Sequence, residues 1–96
     1  MSSERTVTIV PESGLHARPA AKFVEAVNDH ESDVQIGHAD ADELTAAGSM
    51  IAVTSLGAES GEDVRLIADG PDEQATLDAL ERVLTASGDQ LTDTDI

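Results

Sequence analysis

At 96 residues the chain has room for one small domain with a single core, and the absence of cysteine excludes disulfides, thiolate metal ligands and cysteine nucleophiles. Twenty Asp and Glu against five Lys and Arg give a formal net charge of −15. That balance excludes nucleic acid and anionic lipid as partners, since both are bound through basic residues that neutralise phosphates. Apolar residues make up 40% of the chain and fall in periodic patterns, which argues against disorder. The composition is that of a folded domain with an acidic, lysine-poor surface suited to concentrated salt, where screening relieves self-repulsion. No run reaches membrane-spanning length, and Met1-Ser2-Ser3-Glu4-Arg5 does not lead into the apolar region of a signal peptide. A cytoplasmic protein without membrane insertion is expected.

Thr6-Val7-Thr8-Ile9-Val10 alternates with period two and is β-branched, the pattern of a half-buried strand, and Pro11-Glu12-Ser13-Gly14 stops it. From Ala17 the period changes: Ala20, Phe23, Val24 and Val27 recur as on one face of a helix, with Pro19 tolerated in the first turn. Asn28 to Ser32 ends this helix, and Asp33-Val34-Gln35-Ile36-Gly37 reads as a second strand. The acidic stretch His38 to Asp42 reads as a hairpin loop, followed by a short strand around Glu43 to Ala46. Ser49 is placed to cap a short helix over Met50 to Leu56 that Gly57 closes. Asp63 to Ala68 alternates as a fourth strand, and Leu77, Leu80 and Leu84, with Val83 beside them, mark the inner face of a last helix. Residues 87–96 lose periodicity and read as an acidic tail on a domain folded over about 4–86. The order β-α-β-β-α-β-α predicts an α+β open-faced sandwich: a four-stranded antiparallel sheet with three helices on one face.

Gly14-Leu15-His16-Ala17-Arg18-Pro19-Ala20-Ala21 puts His16 and Arg18 where the first helix begins. Unpaired N–H groups and the positive end of the helix dipole gather there, so an imidazole and a guanidinium at that point make a phosphate site. An imidazole is partly neutral near neutral pH and serves as a nucleophile without a separate base. His30 and His38 read as solvated turn residues, and their spacing suits no metal motif.

The Gly14 to Ala21 block resembles the active-site signature of HPr, the histidine-containing phosphocarrier family of the phosphoenolpyruvate-dependent sugar phosphotransferase system. Gly48-Ser49-Met50-Ile51-Ala52-Val53-Thr54-Ser55-Leu56-Gly57 is similar to the family's serine-bearing short helix, and Ile67-Ala68-Asp69-Gly70-Pro71-Asp72-Glu73 to its entry into the last helix. The resemblance implies that His16 accepts a phosphoryl group on Nδ1 from phosphorylated enzyme I and passes it to an enzyme IIA domain. It also implies that Arg18 pairs with the phosphoryl oxygens, that the backbone amides of Ala17 and Arg18 donate to them, and that Ser13 helps orient the imidazole. Ser49 corresponds to a serine that a regulatory kinase phosphorylates in some members, and Met50, Ile51 and Thr54 to partner-docking positions. No cofactor or metal is implied, and a monomeric carrier that does not turn over alone is the expectation.

The sequence departs from the family pattern at Glu25, where a basic residue is common, and at Gly48, where a lysine is common. Its hairpin at Asp40 to Asp42 is slightly longer, and its tail is extended. The alternative functions are a regulatory module of HPr descent, read by its partners according to phosphorylation state, and a generic small ligand-binding domain.

Overall fold

A computed structural model describes residues 2–10, 14, 15 and 17–85. The acidic tail expected over 87–96 lies outside the described residues. The elements follow the expected order: β1 (Ser2–Thr8), α1 (Ala17–Asn28), β2 (Asp33–His38), β3 (Thr45–Ala46), α2 (Met50–Leu56), β4 (Asp63–Asp69) and α3 (Glu73–Thr85). The strands form one antiparallel sheet in the order β1-β4-β2-β3. β4 therefore fills the gap between β1 and β2.

Alternation assigns the two faces of the sheet. Val7, Val34, Ile36, Val64, Leu66 and Ala68 are buried against the helices, which contribute Ala20, Phe23, Val27, Val53, Leu77, Leu80 and Leu84 to the same core. Phe23, the only aromatic residue, is fully enclosed. Glu4, Thr6, Thr8, Asp63, Asp69 and Gln35 are exposed on the opposite face, which no helix among the described residues covers.

β1 differs from its predicted span. It pairs with β4 from Ser2↔Asp69 to Thr8↔Asp63, four residues earlier than hydropathy suggested, and Ile9 and Val10 fall outside it. The inward positions ahead of Val7 are Ser3 and Arg5, whose pattern hydropathy does not register. They bond to α3 in place of apolar packing: Ser3 Oγ donates to Glu73 Oε1 (2.6 Å), and Arg5 Nη1 to Asp78 Oδ1 (2.8 Å) and Glu81 Oε1 (3.0 Å). Hydrogen bonding to Asp78 is the main cause of the raised pKa of Arg5. Ile9 is still held, accepting from Gly61 N (2.7 Å) and donating to Glu62 O (2.9 Å). β3 is also shorter than expected, reduced to Ala46 and Thr45 opposite Gln35 and Ile36.

The start of α3 is tied to the turn before β2. Ser32 Oγ donates to Asp72 Oδ1 (2.5 Å), the Glu31 amide to Oδ2 (3.1 Å), and Thr76 Oγ1 to Oδ1 (3.2 Å). The Ser32 bond is the largest cause holding the Asp72 carboxyl down at about 2, below the ordinary 3.8. The folded carboxyl thus takes a proton less readily than the unfolded one, so its contribution is complete above the unfolded value and is lost as the pH falls toward 2. Asp72→Asn is expected to lower the urea midpoint by a constant amount from pH 7 to about pH 4.5, and to differ progressively less from wild type between there and pH 2.5. A difference that does not shrink with acidification would remove this role.

Candidate functional site

α1 starts at Ala17 and brings Pro19 and Ala20 inward while Arg18 is exposed. Among the described residues its first turn carries no carboxylate, in a chain with 20 Asp and Glu. α3, by contrast, has Glu73 in its first turn, with Oε2 accepting from Gly70 N at 3.4 Å. The positive end of the α1 dipole is thus left without a negative side chain from its own first turn, and Arg18 adds a positive one. His16 and Ser13 lie outside the described residues.

The two residues ahead of His16 in the sequence are fixed by the backbone beyond α2. Leu15 is fully buried, and its amide donates to Ala58 O at 2.9 Å. Gly14 adopts φ +73°, and a Cβ there would lie 2.7 Å from Ala58 O and 2.9 Å from Glu59 Cα. Only glycine meets both demands without strain. At the other end of α1, Asn28 Nδ2 donates to Gly48 O at 3.5 Å. α1 and α2 therefore run antiparallel, joined near both ends.

Ser49 caps α2 as predicted, its Oγ accepting from Ala52 N at 3.3 Å, and Gly57 closes it in the left-handed conformation at φ 69°. Val53 is buried, whereas Ile51 is 78% and Met50 39% exposed. Thr54 is half-buried, and its hydroxyl donates back to Met50 O (2.8 Å) and Ile51 O (3.2 Å). The outward apolar surface of α2 thus consists of Met50 and Ile51, with the Thr54 hydroxyl turned to its own helix.

His30 and His38 differ from the prediction of solvated turn residues. Both are half-buried, and both rings bond to helix-terminal carbonyls: His30 Nδ1 to Ala26 O (2.6 Å) in the last turn of α1, and His38 Nε2 to Leu56 O (2.8 Å) at the end of α2. His38 is moreover the last residue of β2, paired with Val64, and not the first of the hairpin loop. The contacts of Leu15 with Ala58 and of His38 with Leu56 join residues far apart in the chain. The first has one sequence signal, Gly14, which admits the close approach of the Ala58 and Glu59 backbone, and the second has none.

A family model described as the PTS HPr component phosphorylation site matches residues 3–86. The chain belongs to the HPr family. HPr from Haloferax volcanii is 61% identical over 82 residues, covering 85% of this chain and 92% of that one. The crystal structure of HPr from Bacillus anthracis aligns with a TM-score of 0.80 at 28% identity, covering 86% of this chain and 96% of that one. Crh, the Bacillus subtilis catabolite repression protein whose crystal structure is described as a swapped dimer, gives 0.66 at 38% identity, covering 76% and 82%. The four-stranded HPr architecture with its three helices is the one seen here. Among the described residues no helix is long and apolar enough to cross a membrane.

Proposed function

We propose that the chain is a cytoplasmic, monomeric phosphocarrier of the phosphoenolpyruvate-dependent sugar phosphotransferase system, with His16 as the phosphoacceptor. Enzyme I is the donor and an enzyme IIA domain the acceptor. The observation that carries this reading is the His16-Ala17-Arg18-Pro19 run at the start of an HPr-family α1 whose first turn holds Arg18 and no carboxylate. In the transfer, a lone pair on His16 Nδ1 forms the new P–N bond as the bond from phosphorus to the donor breaks. Charge in the loose transition state spreads over the equatorial phosphoryl oxygens, so positioned donors are the main need. The amides of Ala17 and Arg18 and the Arg18 guanidinium supply them, and Ser13 orients the ring. Met50 and Ile51 are the docking contacts, with Thr54 at their edge, and phosphorylation of Ser49 would place negative charge beside that surface.

Incubation with phosphoenolpyruvate, magnesium ions and the cognate enzyme I should give an acid-labile, base-stable adduct that passes to an enzyme IIA. Absence of the adduct would overturn the reading. Arg18→Ala is expected to keep the wild-type melting curve and to slow single-turnover transfer by about ten- to a hundredfold. An unchanged rate would remove its role. The likeness to Crh supports a second reading, a regulatory module recognised by partners according to its phosphorylation state. Enzyme I-dependent transfer onward to an enzyme IIA separates the two.

A further inference from the structure

The last carbonyls of a helix need partners from outside it. At the end of α2 the Gly57 amide takes Thr54 O (3.3 Å), and Leu56 O is met by His38 Nε2 (2.8 Å), reaching across from the end of β2. A carbonyl only accepts, so Nε2 carries a proton whatever the state of Nδ1. Nδ1 faces Glu62 Oε2 at 4.0 Å, and Glu62 Oε1 accepts from Glu59 N at 2.7 Å. The segment 56–59 is therefore held at both ends by side chains. Between those ends lies Ala58, whose carbonyl accepts from Leu15 N and packs against Gly14. The His38 side chain is 30% exposed and that of Glu62 46%, so neither acts by filling the core.

We propose that His38 is a positioning residue for phosphoryl transfer at His16. Its Nε2–H fixes the end of α2, hence the Ala58 carbonyl, hence Leu15, the residue that precedes His16 in the chain. The inference rests on the phosphocarrier reading, and His38 does not touch the phosphoryl group. Transfer depends steeply on placement of the reacting atom, so loosening this strut slows the step at saturating donor and leaves docking alone.

The test compares His38→Leu, which removes the donor at similar bulk, with His38→Gln, which restores a side-chain N–H, in rapid-quench transfer from phosphorylated enzyme I. At a temperature where all three proteins are folded, His38→Leu is expected to be about fivefold slower or more at saturating donor, with unchanged half-saturation and faster amide exchange at Leu15. His38→Gln is expected within about twofold of wild type. Should the leucine variant not fold, His38→Ser, polar but too short to reach Leu56 O, takes its place with the same expectation. A donor-lacking variant that transfers at the wild-type rate, a defect confined to half-saturation, or no rescue by glutamine overturns the proposal while the phosphocarrier reading stands. Wild-type protein that forms no acid-labile adduct overturns both.

Discussion

His16→Ala is expected to leave a folded protein that gains no acid-labile phosphoryl group from phosphorylated enzyme I, a loss of about a thousandfold or more. His30 and His38 are not expected to take over: His30 follows the end of α1 and His38 ends β2, so neither stands at a helix start where backbone amides gather for a phosphoryl group. The fold is expected to survive because its local supports lie to either side: Leu15 in the core, and α1 packed through Pro19, Ala20 and Phe23. A shift in stability of no more than about 0.5 kcal/mol is expected by urea denaturation. Mass spectrometry of the wild-type adduct under alkaline conditions should place the phosphoryl group in the peptide containing His16. An adduct retained by the variant would sink the site assignment.

The second large effect is expected at Gly14, where a side chain meets two penalties together. Gly14→Ala would hold a non-glycine residue at positive φ, at a cost of about 1–2 kcal/mol. It would also force a methyl group against the backbone of Ala58 and Glu59, which cannot swing aside as a side chain would. The total loss is expected to be about 2–4 kcal/mol by urea denaturation, with single-turnover transfer slowed at least about tenfold at temperatures where the protein is still folded. Gly57→Ala is the control, since Gly57 has a similar φ of 69° but nothing within 4 Å of its Cβ position. It should cost only the conformational penalty. Equal losses in the two variants would show that the close approach to Ala58 is not what matters.

Most elements were legible because their signals are local. The periodicity of Ala20, Phe23 and Val27, the Ser49 and Gly57 caps and the Leu77-Leu80-Leu84 stripe needed no tertiary information, and each stands where the pattern put it. The misplacement of β1 has a specific cause: its inward face is continued by Ser3 and Arg5, whose partners Glu73, Asp78 and Glu81 lie some 70 positions away in the chain. The histidines were misread for the same reason. A ring that satisfies a helix-terminal carbonyl looks, in sequence alone, like any other polar turn residue. At the site, the motif named the chemistry, but the Leu15 to Ala58 bond was not readable, since backbone atoms carry no residue signature.

The placement of β4 between β1 and β2 bears on how the protein matures as it is synthesised. Neither β1 nor β2 has its full-length partner until residues 63–69 have been made, and Leu15 waits for Ala58. Contacts this distant in sequence form late and together. A nascent or truncated chain ending before β4 would carry the whole His16 motif, and even Ala58, yet lack the strand that joins β1 to β2. Its competence as a carrier should therefore arise only with the complete sheet, which keeps unfinished chains from competing for the phosphoryl donor.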